Sequence, residues 1–433
     1  MKVAFITLGC RVNQYETEAM AEKFIKEGYE VVNHNDFSDV YVINTCTVTN
    51  MGDRKSRQMI SKVKKINTKA IIAVVGCYAQ VSSQEISEID GVEVILGTKN
   101  KGKIVYYVNK AMSENKQQIA VDDVSKNKEF EELNIEEYQD KTRAFLKIQD
   151  GCNRFCSYCL IPYARGGVCS KEPEKVLSEV KKLASHGFRE IILSGIHTAS
   201  YGQDLDGDWN LLRLLEEIDK VNGIERIRIG SIDPTFFTDG VINRISSLKK
   251  LCPHFHLSLQ SGCDETLKRM NRKYTTAQYK KILKELREHI EDVSITTDII
   301  VGFPGETEEE FKATYEFLED IELSKMHIFK YSPREGTKAA EMPKQLDGNI
   351  KEARSKKLIE LNKKLEDKFM GKFVDKVMDV LYEDNFKEYK SLYEGYTRNY
   401  IKIVSELEST LPGEIVDTKL KSIENGYILG EVQ

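Results

Sequence analysis

The stretch Cys152-Asn-Arg-Phe-Cys156-Ser-Tyr-Cys159 carries three thiols within eight residues, spaced by three residues and then by two. A run that tight cannot close three cysteines on one another as disulfides, but it can wrap three thiolates around one soft metal centre. Structural zinc takes a fourth ligand, and the next cysteine, Cys169, lies ten residues on, past a Gly-Gly bend. Three thiolates on a four-iron cube would instead leave one iron open to a small molecule, which makes a reactive site. Spacing favours the cube, with a zinc knuckle, or a redox pair and a spare thiol, as the alternatives.

A second set of thiols is dispersed. Cys10 follows the apolar run Val3-Ala-Phe-Ile-Thr-Leu-Gly, Cys46 follows Val40-Tyr-Val-Ile-Asn-Thr, and Cys77 follows Ile71-Ile-Ala-Val-Val-Gly. Each run leads into a helical stretch, as from Glu16 to Glu27 with Gly28 as a C-terminal stop. Repeated strand–loop–helix units predict an open parallel sheet with helices on its faces. The carboxyl ends of such strands share one edge, where ligands bind. Three cysteines at three such ends can therefore meet, although a lone cysteine there is ordinarily a small buried residue.

The polar, charged stretch 113–140 reads as a linker. From Arg143 strands and helices alternate again, which predicts a full or partial barrel of parallel strands. Candidate strands start at Ala144, Glu190, Arg226, Phe255, Ser294 and Lys325. The loops after them hold Ser194-Gly195-Ile-His197, Gly230-Ser231-Ile-Asp233, Gln260-Ser261-Gly262, Gly302-Phe-Pro-Gly305-Glu306 and Tyr331-Ser332-Pro333. Residues 350–370 read as a long charged helix. After Gly371, short runs at Val374–Val380, Tyr396–Val404, Glu414–Val416 and Gly426–Leu429 predict a small all-β barrel. Tyr393, Tyr396 and Tyr400 are candidate RNA-facing aromatics there, with core packing as the bland reading. Arg54, Lys55, Arg57, Lys62, Lys64 and Lys65 form a basic run that suits either a solvated helix face or a phosphate contact.

The bulk numbers bound the rest. A chain of 433 residues suggests about three domains. Lys+Arg 64 against Asp+Glu 69 gives a net charge of −5, so any nucleic-acid contact must use local patches. The nine cysteines are an odd count. The start Met1-Lys-Val-Ala-Phe-Ile reads as a strand rather than a leader, and no apolar run is long enough to span a membrane. A cytoplasmic protein that uses its cysteines for metal is expected.

The triple-cysteine spacing, with Tyr158 just before the last thiol, resembles the radical S-adenosylmethionine (SAM) signature. The whole chain resembles the methylthiotransferase family in three parts. Residues 1–112 are similar to its N-terminal domain, residues 141–370 to the radical SAM partial barrel, and residues 371–433 to the C-terminal TRAM barrel. Gly9-Cys10-Arg11-Val12-Asn13-Gln14-Tyr15-Glu16, Ile196–Gly202 and Met270-Asn271-Arg272 are most similar to the branch that acts on N6-threonylcarbamoyladenosine (t6A), the MtaB type. Branches acting on isopentenyladenosine or a ribosomal-protein aspartate carry Gln-Met-Asn or Pro-Lys-Asn after the first cysteine. One stretch departs from the family: Gly167-Val168-Cys169-Ser170-Lys171-Glu172 stands where relatives are rich in arginine. Lys171 lacks the planar fork of an arginine.

The resemblance implies a [4Fe–4S] cluster on Cys152, Cys156 and Cys159, and an auxiliary [4Fe–4S] cluster on Cys10, Cys46 and Cys77. It implies that SAM is cleaved to a radical that attacks C2–H of a modified adenosine beside the tRNA anticodon, and that sulfur and a methyl group follow. Tyr158, Ser194, Gly195, Ser231, Gln260, Gly302 and Gly305 are the expected SAM contacts. Expected partners are the anticodon loop carrying t6A and an electron donor such as flavodoxin or ferredoxin, with no membrane and a monomeric chain.

Overall fold

The computed structural model describes residues 1–47, 50–127, 129–133, 135, 142–386, 391–407 and 413–433. The first sheet is built from β1 (Lys2–Thr7), β2 (Glu30–Val32), β3 (Val40–Thr45), β4 (Ile71–Gly76), β5 (Val92–Leu96) and β6 (Gln118–Ala120). The order is β2-β1-β3-β4-β5-β6, and every pairing is parallel. Alternate residues of one strand feed opposite faces. Tyr41 and Ile43 join one apolar cluster, Val40 and Val42 the other. Both faces are covered, so β3 is buried along its whole length and reads as an unbroken apolar run.

The expected linker is a correction. Within 113–140, Gln118–Ala120 pairs with Val94–Leu96 and forms the edge of this sheet. Only three residues pair, too short a run for alternation to signal a strand. Residues 128, 134 and 136–140 of that stretch lie outside the described residues.

The central unit holds β7 (Arg143–Lys147), the two-residue strands β8 (Gln149–Asp150) and β9 (Cys169–Ser170), and then β10 (Glu190–Ser194), β11 (Arg226–Ile229), β12 (His254–His256), β13 (Ser294–Val301) and β14 (Lys325–Lys330). Two parallel three-stranded sheets, β7-β10-β11 and β12-β13-β14, are joined by the bridges Ile227↔Leu251 and Ile232↔Leu257. The result is an open arc, a partial barrel. Ala144, Leu146, Ile191 and Leu193 face the outer helices. The alternate residues Phe145 and Ile192 face inward and pack on Tyr15 and Ala19 of the N-terminal helix Arg11–Lys26. Leu358, Leu361 and Leu365 of the helix Gly348–Gly371 join the outer core near β14.

A closed barrel follows: β15 (Val377–Asn385), β16 (Leu392–Thr397), β17 (Lys402–Glu406), β18 (Ile415–Glu424) and β19 (Tyr427–Val432). The expected strand Tyr396–Val404 is two strands, split by a turn in which Tyr400 takes φ +69°. The expected RNA-facing tyrosines are also corrected. Tyr396 and Tyr400 stack at 4.7 Å, and Tyr400 stacks on His254 at 4.7 Å. Arg143 and Arg228 lie over these rings. Tyr393 packs, half-buried, against the barrel core. Two of the three rings thus form the seam to the central unit. The basic run is also partly consumed. Arg57 donates to Tyr78 and Glu85, Lys62 donates to Asn35, and Lys64 pairs with Asp90.

The seam rests on buried charge. Arg228 meets Glu190 at 2.9 Å and donates onward to the Thr397 and Arg398 carbonyls. Burial alone raises the Glu190 carboxyl, and Arg228 with its neighbours outweighs that and lowers it. Arg228→Ala would leave this buried carboxylate only the longer contacts to Arg143 and Arg226 (both 3.7 Å), so a loss of about 3 kcal/mol is expected. A urea midpoint equal to wild type would contradict that account of the seam.

Candidate active site between two sets of cysteines

β1, β3 and β4 are neighbours, with Thr7 opposite Asn44 and Thr45 opposite Gly76. Cys46 directly follows β3, and Cys77 directly follows β4. Cys10 comes just after β1 and immediately precedes the helix Arg11–Lys26. All three thus lie at one sheet edge. Gly9 takes φ +105°, and a Cβ there would stand 2.7 Å from the Cys46 Cβ. Only glycine lets the Cys10 loop lie against Cys46. The Asn13 amide locks it there, donating to Leu8 O at 2.7 Å and Thr45 O at 2.9 Å. Cys10 is exposed, Cys46 half-buried and Cys77 buried.

The second set is wrapped by the loop after β8. Gly151 takes φ +67°, and a Cβ there would be 1.8 Å from the Gly167 carbonyl oxygen. The Cys152 amide donates to Gly166 O at 3.0 Å. Each sulfur receives one N–H: Cys152 from the Arg154 amide (3.4 Å), Cys156 from Arg272 Nη1 (3.3 Å) and Cys159 from the Ile161 amide (3.5 Å). Such donors suit sulfur that carries negative charge as a metal ligand. Burial raises the Cys152 and Cys77 thiols and pushes Cys159 up to about 12. A metal bound there would replace those protons.

Arg165 joins the two sets. Its Nε donates to Cys77 Sγ at 3.2 Å, and Nη2 donates to Asn13 Oδ1 at 2.8 Å. Nη1 lies 2.9 Å from Glu16 and 3.1 Å from both oxygens of Asp150. The next residue, Gly166, supplies the carbonyl that holds Cys152. Lys147 bridges Glu16 (2.9 Å) and Asp150 (2.6 Å), and Lys101 pairs with Glu16 (2.7 Å). These five charged side chains are at most 1% exposed. Burial by itself raises the Glu16 and Asp150 carboxyls, but the surrounding cations hold both well below the ordinary range.

A polar ring borders the loop of the second set. Asp233 faces His197 (3.7 Å), Arg272 (3.6 Å) and Arg154 (3.7 Å). Burial raises the Asp233 carboxyl, while the His197 hydrogen bond and the Arg272 charge more than reverse that. Gln149 Oε1 accepts the His197 amide at 2.7 Å.

The expected cofactor contacts fall at the carboxyl ends of the central strands. Ser194 is buried at the end of β10, and a Cβ on Gly195 would press on Gln149 and Thr198 at 3.0 Å. Ser231 is exposed, and its carbonyl accepts the Thr198 hydroxyl at 2.9 Å. Gln260 takes φ +73° between β12 and β13. Gly302 (φ +72°) and Gly305 (φ +74°) shape a turn held by Glu306, which accepts the Gly302 amide at 3.1 Å and pairs with Arg354. That amide is therefore used within the protein. The Tyr158 ring packs edge-on to Phe303 and against the buried cluster of Met270 and Tyr331, so it anchors the loop. Cys169 is buried, its backbone lies opposite Asp150, and burial pushes its thiol up to about 11.

A single zinc ion gathers its donors at about 2.0–2.3 Å. Among the described residues no three Cys, His, Asp or Glu side chains converge in that way. Sequence reasoning singled out the stretch holding Asn13 and Glu16 but overlooked Arg165, Lys147 and Asp150 and the network they form with Glu16. A charged residue flanked by apolar or glycine neighbours, as in Ala164-Arg165-Gly166, was the available signal.

Residues 146–318 match the Radical SAM superfamily, and residues 2–97 match Uncharacterized protein family UPF0004. Over the full chain and 96% of the relative, the sequence is 43% identical to the Threonylcarbamoyladenosine tRNA methylthiotransferase MtaB of Bacillus subtilis. The chain belongs to the radical SAM methylthiotransferase family. A second relative, the tRNA-2-methylthio-N(6)-dimethylallyladenosine synthase of Thermoanaerobacter pseudethanolicus, is 36% identical over 98% of the chain and 91% of its own length. Among solved structures, the radical S-adenosylmethionine methyltransferase TsrM of Kitasatospora setae superposes with a TM-score of 0.55 at 15% identity. That match covers 76% of this chain and 72% of the other, and it supports the fold alone. Membership in the methylthiotransferase family implies SAM and a [4Fe–4S] cluster. No helix among the described residues is long and apolar enough to cross a membrane.

The buried network makes stability depend on acid. Both carboxyls are lowered, so their contribution is complete above the ordinary carboxylate range and is lost as pH falls below it. Urea midpoints are expected to drop below about pH 4. Glu16→Gln is expected to start lower by about 3–5 kcal/mol and to show a shallower acid limb. An acid limb as steep as that of wild type would contradict the assignment.

Proposed function

We propose that this chain converts t6A at position 37 of tRNA, beside the anticodon, to 2-methylthio-t6A. The observation that carries the reading is the tie through Arg165 and Gly166, one residue touching Cys77 and the next touching Cys152. Two thiol sets held that close suit a reaction that starts at one and takes sulfur at the other. The 43% identity to a relative named for t6A, against 36% to one named for dimethylallyladenosine, favours t6A as the substrate.

On this reading Cys152, Cys156 and Cys159 hold a [4Fe–4S] cluster with one iron open to SAM, and Cys10, Cys46 and Cys77 hold the auxiliary cluster. When bound, these groups supply the electron that cleaves SAM, the sulfur inserted at C2 and, from a second SAM, the methyl group. The protein's part is positioning. Arg154, Arg272 and the Ile161 amide hold the ligating sulfurs by their N–H groups. Ser194, Gly195, Ser231, Gln260 and the Gly302–Gly305 turn border the space for SAM, with the Tyr158 ring fixing the cysteine loop. The inward face of the partial barrel receives the adenosine, which must leave its stack to enter. The anticodon loop and a flavodoxin- or ferredoxin-type electron donor are the partners, in the cytoplasm.

The cysteine roles are tested by anaerobic purification and counting of iron and sulfide. Replacing Cys152, Cys156 and Cys159 by alanine, or separately Cys10, Cys46 and Cys77, is expected to remove about half the iron in each case. Full iron in the N-terminal triple variant would reject the sulfur-donor role. The substrate is tested by analysing tRNA nucleosides from cells with and without the protein. Loss of 2-methylthio-t6A is expected. Loss of the isopentenyl derivative instead would select the other tRNA branch, and an unchanged profile would point to a ribosomal-protein aspartate.

A further inference from the structure

A cavity of about 400 Å³ lies within the concave face of the partial barrel, closed at its base by the Tyr396–Tyr400 seam. That volume suits a small-molecule site. Four arginine or lysine side chains line it. Three are neutralised: Arg228 by Glu190 (2.9 Å), Lys325 by Glu366 (2.7 Å) and Lys402 by Glu394 (2.6 Å). The fourth, Arg11, is different. It is exposed, its guanidinium lies 5.0 Å over the Phe145 ring, and its Nη1 donates to the neutral Gln14 amide at 2.9 Å. No carboxylate among the described residues pairs with it. The cavity also holds a second unspent polar group. Among the described residues His254 Nδ1 is buried without a hydrogen-bond partner.

We infer that Arg11 is the specificity residue that reads the free carboxylate on the N6 arm of the substrate nucleoside, an inference that rests on the proposed t6A reading. A guanidinium presents a planar fork matching a carboxylate, and stacking on Phe145 holds that fork in place. An aliphatic N6 arm offers it nothing and would cover an unpaired charge, which is costly. Arg11 follows Cys10 directly, so the element that contributes an auxiliary-site thiol also grips the arm. The orphan His254 nitrogen is available to the hydroxyl or carbonyl of the same arm.

The test compares binding of three anticodon stem-loops to the full, cluster-loaded chain: one with t6A, one with its threonine carboxylate as the methyl ester, and one with unmodified adenosine. Wild type is expected to bind the acid at least about tenfold more tightly than the ester. Arg11→Gln is expected to lose that preference, with ester binding unchanged and iron content equal to wild type, and Arg11→Lys to recover part of it. Equal binding of acid and ester by wild type overturns the inference without recourse to any variant. So does an Arg11→Gln protein that keeps the preference. Failure of the t6A reading itself would look different: wild type would methylthiolate a dimethylallyladenosine stem-loop and leave the t6A one unchanged.

Discussion

The architecture turns on one buried guanidinium. Arg165 spends its N–H groups on Cys77, Asn13, Glu16 and Asp150, which come from both the N-terminal sheet and the central unit. Burying such a charge costs several kcal/mol unless every partner is in place. The two units therefore cannot slide or rotate apart without stranding Glu16, Asp150 and Lys147 as well. The network works as a register pin. It fixes the N-terminal thiols relative to the central cysteine loop, alongside the apolar packing of Tyr15 and Ala19 on Phe145 and Ile192.

Glycines do the complementary work of close approach. Gly9 lets the Cys10 loop touch Cys46, and Gly151 lets the cysteine loop run under the Gly167 carbonyl. Both take positive φ, and at both any side chain would overlap a neighbour. The cysteines are thus positioned from two directions. Backbone contacts set where the loops run, and N–H donors orient the sulfurs of Cys77, Cys152, Cys156 and Cys159.

The C-terminal barrel takes a part its composition does not suggest. Tyr396 and Tyr400 face the central unit, stack on each other, and Tyr400 stacks on His254 at the base of the cavity. Their rings, with Arg143 and Arg228 over them, close the base of the partial barrel. This use consumes aromatic surface that would otherwise be free to stack on bases. Among the described residues Arg11 is the cavity-lining cation without a carboxylate.

What the amino-acid order determined by itself was everything carried by local pattern. The apolar runs ending at Gly9, Thr45 and Gly76, the helix stop at Gly28 and the tight triple-cysteine loop all rest on interactions between near neighbours. The parallel sheet, the partial barrel and the thiols at strand ends follow from them. The three-residue strand Gln118–Ala120, the seam role of Tyr396 and Tyr400, and the Arg165 network were decided only in the folded chain. Their partners lie tens to hundreds of residues away, and a charge bound for burial looks in sequence like any other charge. Burial makes such a charge consequential, and only tertiary packing assigns burial.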